Sequence, residues 1–338
     1  MTQIKEVLEV LENIAPAEYQ ESYDNSGLLV GNKNIELKGV LVCLDTTEEI
    51  VDEAVEKDCN LIIAHHPLIF KGLKKIDPNH WVGRVVIKAI KSDIAIYAIH
   101  TNLDNVLKNG VNAKIAEKLG LTKTKVLMPS KSTLSFSIKS PILLKKEVLQ
   151  ATDKISPLNY SYSESTNGND GKKIVEVIGE IAPHQKSQLS NSLKGLGVIA
   201  SFNELTDRHP DLGAGLIGEL EMPVPEKDFL SILKKQFKTA VIRHTELLGK
   251  SVLKVAICGG SGSFLLPFAI GAGADVFVTG DFKYHDFFEA DRKILVADIG
   301  HFESEQYTIE LIIDIIKDKF STFALHYTQV DTNPVKYF

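Results

Sequence analysis

Five residues of this sequence combine types and spacings that suit metal chemistry. His65 and His66 close the apolar run NLIIAHH (60–66), and Asp104 stands four residues after His100 in HTNLD. His301 follows ILVADIG, and Glu305 comes four residues later in HFESE. At i and i+4 on a helical pattern, His301 and Glu305 share one face, within reach of one ion. Adjacent His65 and His66 diverge, which suits two ions better than one. Pro67 follows at once and biases His66 away from helix. Asp104 is a hard anionic ligand able to bridge. Three imidazoles and two carboxylates fit Zn, Mn or Fe(II), and with water ligands such a set can bind two ions. Two ions about 3.5–4 Å apart can clamp a phosphoryl or carbonyl oxygen.

Each residue alone has a plainer reading. A lone histidine after a strand is more often a polar cap. A lone Asp104 is a turn former bonding its own backbone. His301 with Glu305 is also an ordinary helix-surface pair, and Glu is favoured near a helix start by the dipole. The five together at strand ends outweigh those readings. Weaker signals surround them. GGSGS (259–263) can hold an anion on backbone N–H groups or simply make a tight turn, and it matches neither phosphate-loop nor dinucleotide fingerprints. DFKYHD (281–286) puts Lys283, His285 and Asp286 after a further strand, as substrate groups, partners of the ligands, or solvated helix-start residues. His285 and Glu303 are the candidates for proton transfer, and His100 is a candidate substrate contact.

The elements that must position these residues are two stretches of alternating strand and helix. GVLVCLD (39–45), NLIIAHH (60–66) and IAIYAIH (94–100) read as buried strands, with helices at 47–58 and 82–92 between them. The order recurs in strands 253–259, 274–280 and 293–300, with helices at 264–273, 282–292 and 302–320. Such alternation implies crossover units and mostly parallel sheet. In open α/β sheets the carboxyl ends of strands line the ligand crevice, so separate strands deliver the five residues to one edge. The expected fold class is α/β: two pseudo-equivalent halves, 1–128 and 213–338, facing a dinuclear site. Between them, 130–212 carries strand-like runs at 134–138 and 174–181, helical patterns at 144–154 and 184–194, and the polar stretch SYSESTNGNDGKK (161–173). A β-α-β-β-α-β order fits an inserted small ferredoxin-like α+β domain, with Pro129 and DRHPD (207–211) as boundary punctuation. The first residues form an amphipathic helix through Ile4, Val7, Leu8, Leu11 and Ile14.

Composition narrows the function classes. The 338 residues are 44% hydrophobic and 24% charged, ordinary for a globular protein and unlike a disordered one. Acidic residues number 44 against 38 basic, a net charge of −6, which disfavours nucleic acid as a partner. Trp81 is the single tryptophan, so no stacking surface for single strands is indicated. Three cysteines without a C-x-x-C pair read as reduced, in a cytoplasmic setting. No signal peptide is read at the start, and no run approaches the roughly 18 apolar residues of a membrane span.

ESYDNSGLLVG (21–31), AHHPLIF (64–70), HTNLDN (100–105), TGD with KYH (279–285) and GHFESE (300–305) together resemble the NIF-three-like dinuclear metal centre family, whose members are also called GTP cyclohydrolase 1 type 2 homologs. The resemblance covers about 1–128 and 213–338. It implies two divalent metal ions per chain (Zn, Fe or Mn), with ligands at His65, His66, Asp104, His301 and Glu305. It also implies a homohexameric ring, a trimer of dimers, and an insert similar to PII signalling proteins. The segment 130–212 is short for that insert and lacks the glycine-rich, cysteine-bearing pattern of the larger ones. Tyr23 stands where many relatives have tryptophan, beside an intact Asp24–Asn25 pair, which makes Asn25 a candidate substrate contact.

The expected function is that of a metal-dependent hydrolase acting on a nucleotide or other phosphorylated small molecule. The alternatives are a metal-binding or metal-delivery protein without turnover, and a ring-shaped interaction scaffold in which metal is a structural clip.

Overall fold

The structure is a computed structural model that describes residues 2–130, 134–155, 157, 159–166, 171–181, 185–204 and 211–338. The chain divides into two compact units, one of Met1–Met128 with Asp211–Phe338, the other Pro129–Pro210. The class is mixed α/β, with three sheets among the described residues.

In the larger unit, the first sheet runs Gly27–Val30, Ala95–Ala98, Leu61–Ala64, Gly39–Cys43 and Ala324–Tyr327. Its first pair is antiparallel and the rest are parallel. The three central strands are buried at every residue, as strands covered on both faces must be. Alternation divides their side chains. Leu41, Cys43, Ile62 and Ile96 pack on the outer helices Glu48–Glu56 and Trp81–Lys91 through Ile50, Ala54, Val85 and Ala89. Val40, Val42, Leu61, Ile63 and Tyr97 face the inner cluster with helices Ile4–Ile14, Val111–Leu119 and Thr308–Lys319.

The second sheet runs Arg243–His244, Leu295–Asp298, Val276–Gly280, Ser251–Ser261, Gly213–Pro225 and Thr122–Pro129. Its three middle strands from Leu295–Asp298 to Ser251–Ser261 are parallel. Val255, Ile257, Val276, Val278, Leu295 and Ala297 join the inner cluster, so the same helices cover both sheets. Each sheet is completed by a strand from the far part of the chain, Ala324–Tyr327 in the first and Thr122–Pro129 in the second.

Two helices expected from periodicity differ. The 282–292 pattern forms only a short 3₁₀ turn, Asp286–Ala290. Asp281, Asp291 and Arg292 bracket it with φ of +57°, +44° and +54°, left-handed values that no helix contains. The 302–320 pattern splits into His301–Glu305 and Thr308–Lys319. At the break, the Gln306 amide donates to the Phe237 carbonyl at 2.8 Å and the Tyr307 hydroxyl to the Gln236 carbonyl at 2.5 Å.

In the smaller unit, strands and helices follow as Leu134–Pro141, Lys145–Asp153, Asn159–Thr166, Lys173–Ile181, Gln185–Lys194 and Ala200–Glu204. The sheet order is Asn159–Thr166, Lys173–Ile181, Leu134–Pro141, Ala200–Glu204, with all neighbours antiparallel. Val148, Leu189 and Leu193 of its helices pack on Phe136, Ile138, Val175 and Val177. In the polar stretch, 161–166 is strand, while 167–170 lie outside the described residues, as do 207–210 of DRHPD and residue 184 of the helical pattern.

Candidate metal centre

Backbone ladders carry both adjacent histidines past their strand. His65 N–H donates to Cys43 O at 3.2 Å, and His66 N–H to Leu44 O at 2.9 Å. Each imidazole is then fixed at Nδ1. His65, fully buried, has Nδ1 2.8 Å from the Ile99 carbonyl. A carbonyl only accepts, so Nδ1 carries the proton and Nε2 keeps its lone pair. His66 Nδ1 lies 2.8 Å from Asp45 Oδ1, and His301 Nδ1 lies 2.7 Å from Asp281 Oδ2.

All three Nε2 atoms turn toward Glu305, which is only 3% exposed. Its Oε2 is 2.9 Å from His66 Nε2 and 3.1 Å from His301 Nε2, while Oε1 is 3.7 Å from His65 Nε2. Asp104 Oδ1 stands 3.6 Å from His65 Nε2. Glu305 therefore sits between two sets of polar atoms, with His66 and His301 at one oxygen and His65 and Asp104 toward the other. The sequence reading named Asp104 as able to bridge; in the structure the Glu305 carboxylate is the group that lies near all three imidazoles. His65, His66 and Glu305 each offer one ligand atom, all within 4.8 Å of one another, a spacing that can hold a cation.

The glycine turn forms the floor. Gly260 has φ of +63°, and a Cβ there would lie 2.3 Å from Glu305 Oε1. Its N–H donates to Ser304 Oγ at 2.9 Å, and its carbonyl accepts from Thr279 Oγ1 at 3.0 Å. The turn is thus engaged in close packing of strand against helix.

Charge in the site is unevenly compensated. Burial works against ionisation of Glu305, yet His301, with His65 and His66, holds its carboxyl well below the usual range. Burial, reinforced by the charge of Glu305, pushes the Asp104 carboxyl up. Burial disfavours charge on His66, but Asp45 and Glu305 push it up to about 10. Burial likewise opposes charge on His301, but Glu305 and Asp281 push it up to about 11. Burial holds His65 down. His65 Nε2 and Asp104 Oδ1 are buried and have no hydrogen-bond partner among the described residues. Such orphaned atoms are costly unless something fills the space between them.

These groups open on a cavity of about 800 Å³ whose lining includes His66, Asp104, His301 and Glu305, together with His100 and Glu303. Aromatic walls come from Tyr23, Phe70, Phe264 and Tyr337. His100 Nδ1 is held by Asp24 Oδ1 at 2.7 Å, and Glu303 Oε1 accepts from the Asn333 amide at 3.3 Å. Lys283, His285 and Asp286 are not among the residues lining the cavity. Asp281 has a left-handed φ of +57°, and the exposed His285 ring packs against Tyr284 and Phe288, with centroids 5.2 and 6.4 Å away. Asn25 also lies off the cavity lining, its amide donating to the Ile69 carbonyl at 2.5 Å. The partners Asp45 and Asp281 were missed as such, although Asp281 directly follows a buried strand and Asp45 comes two residues after one, close to the signal that marked the histidines.

Comparisons with known proteins follow the whole chain. The family described as Duf34/NIF3 (NGG1p interacting factor 3) matches residues 2–334. A Staphylococcus epidermidis (strain ATCC 12228) protein named GTP cyclohydrolase 1 type 2 homolog is 32% identical over 369 aligned positions, covering 99% of each chain. Among solved structures, Staphylococcus aureus protein SA1388 is similar at 29% identity and a TM-score of 0.78, covering 100% of this chain and 99% of that one. A Bacillus cereus protein related to NIF3 is similar at 30% identity and a TM-score of 0.73, with the same coverage.

Proposed function

Because this chain belongs to the Duf34/NIF3 family, we propose that it is a metal-dependent hydrolase acting on a nucleotide or other phosphorylated small molecule. His65, His66, Asp104, His301 and Glu305 would hold two divalent ions in this reading. The observation that carries it is the pair of orphaned buried atoms, His65 Nε2 and Asp104 Oδ1, 3.6 Å apart beside the Glu305 carboxylate. Two imidazole-bearing groups flanking one carboxylate match the mixed N/O set of Zn, Mn or Fe(II).

Bound ions supply Lewis acidity toward an oxygen of the substrate. The chain's own residues do the rest. Asp45, Asp281 and the Ile99 carbonyl fix the three ligand tautomers. His100, oriented at Nδ1 by Asp24, faces the cavity and can pass a proton at Nε2. Glu303 stands at the same wall. The aromatic walls exclude water from one side of the substrate. The name carried by the relatives makes GTP the first substrate to try.

The finer architecture belongs to the same reading. We infer that the first and last stretches are pseudo-equivalent halves, supported by their matching runs of three parallel strands. The smaller unit is read as a ferredoxin-like insert, supported by its element order and antiparallel sheet. The homohexameric ring rests on the family resemblance, and light scattering reads it directly. Among the described residues no helix is long and apolar enough to cross a membrane. The free cysteines Cys43, Cys59 and Cys258 are all buried, which supports a reducing, cytoplasmic setting.

The test is elemental analysis of protein purified without added metal, beside the Asp104→Ala variant, followed by a GTP turnover assay. About two metal equivalents per chain, reduced in the variant, with GTP consumed only by the wild type, is the expected result. Absence of bound metal in both overturns the ligand reading. Metal without turnover of GTP or other phosphorylated compounds moves the protein to the metal-binding class.

A further inference from the structure

We propose that the segment 328–337 completes the metal centre, with Thr332 as the positioning residue that orients His66 through Asp45. The inference rests on the metal-centre reading above. Strand Ala324–Tyr327 lies parallel to Gly39–Cys43, and Thr328 N–H continues the ladder to Val42 O at 3.1 Å. The Thr328 hydroxyl and the Gln329 N–H, the latter at 2.8 Å, then bind the Glu53 carboxylate. Val330 packs against the outer core of the first sheet. These contacts anchor the start of the segment on the first sheet and its outer helix.

Beyond the anchor, the chain crosses to the site. Thr332 Oγ1 donates to Asp45 Oδ2 at 3.0 Å, and the other oxygen of that carboxylate takes His66 Nδ1 at 2.8 Å. The Asn333 amide donates to Glu303 Oε1 at 3.3 Å, and Val335 and Tyr337 reach the cavity wall. A carboxylate held at one oxygen can rotate; held at both, its plane is set. The Thr332 hydroxyl thereby keeps Asp45 in the orientation that accepts His66 Nδ1–H, and His66 Nε2 stays aimed at Glu305. Groups that orient a ligand in this way govern metal affinity although they never touch the ion. The coupling is reciprocal: whatever docking of the segment adds to metal affinity, metal adds to docking.

The test uses the full chain stripped with chelator and titrated with cobalt(II), whose visible absorption reports ligand geometry. Thr332→Val should weaken cobalt binding about threefold to tenfold, less than the tenfold to hundredfold typical of removing a ligand's direct partner. It should also alter the cobalt spectrum, and Thr332→Ser should restore both. Tyr160→Phe removes the same kind of hydroxyl–carboxylate bond, to Asp153 in the smaller unit, and should leave affinity and spectrum unchanged. Hydrogen exchange at 331–337 should slow on cobalt addition in the wild type, and less in Thr332→Val. Wild-type affinity and spectrum in Thr332→Val overturn the proposal, as does equal weakening by Tyr160→Phe. A wild-type chain that takes up no cobalt refutes the metal-centre reading itself, and this inference with it.

Discussion

His66 and His301 meet Nε2 to Nε2 at 3.3 Å across the oxygen of Glu305. Each ring is tied at its far nitrogen to a carboxylate, Asp45 for one and Asp281 for the other. Two imidazoles so close, each with its remaining nitrogen turned to the same point, are arranged to share a positive centre. The paired carboxylates should therefore matter as much as their rings. Asp45→Asn and Asp281→Asn are each expected to lower zinc affinity about 10- to 100-fold with the fold intact. Competition titration with a chromophoric chelator measures this, and unchanged affinity in both variants would contradict the geometry.

Asp104 is the residue with most to gain from an ion. Its carboxyl is partly buried, repelled by Glu305, and has a buried Oδ1 with no partner among the described residues. Asp104→Asn removes the charge at nearly constant shape. The metal-free variant should be more stable than metal-free wild type by about 1 kcal/mol, the usual trade between stability and a strained functional site. It should also lose metal. Thermal unfolding in excess chelator, with and without added zinc, shows both effects; a less stable metal-free variant would refute the first.

Gly260 should tolerate no side chain. Gly260→Ala sets a Cβ 2.3 Å from Glu305 Oε1 at φ of +63°. The expected cost is about 2–4 kcal/mol, with loss of metal. Gly120 makes the control: it has φ of +66° but open space around its Cβ position. Gly120→Ala should cost about 1 kcal/mol from backbone strain alone and keep full metal content. Equal metal loss in the two variants would show that the close approach to Glu305 is irrelevant.

Asp24 gives a pH dependence of known sign. Burial opposes its charge, but His100, Thr101 and the Asn25 N–H hold its carboxyl well below the usual carboxylate range. A lowered pKa means that the folded state binds the proton less readily than the unfolded chain, whose Asp titrates at about 3.9. The stabilisation is thus fully present above about pH 4–5 and is lost as pH falls toward the folded value. Asp24→Asn should cost about 2–4 kcal/mol at neutral pH, and the difference from wild type should shrink below about pH 4. Urea unfolding between pH 3 and 7 measures it; a constant difference across that range would exclude this origin.

The sequence by itself determined the elements and the ends from which chemistry is delivered. Runs such as LIIA before His65 are short, continuously apolar and bounded, which is what a strand buried on both faces requires. Parallel strands place equivalent ends on one edge, so His65, His66 and Asp104 could be assigned to a shared rim without knowing any distance. The i and i+4 spacing of His301 and Glu305 is equally local. Only the tertiary structure decided how these groups meet. That all three imidazoles converge on Glu305 depends on how closely strand and helix approach at Gly260. Asp45 and Asp281 reach rings 21 and 20 residues away, and Thr332 reaches Asp45 across 287. His285 carried the same strand-end signal as the ligands, yet the left-handed turn at Asp281 sends it elsewhere. Periodicity is set by neighbours along the chain, whereas such contacts are sums of many backbone angles and of packing between layers, which no local pattern encodes.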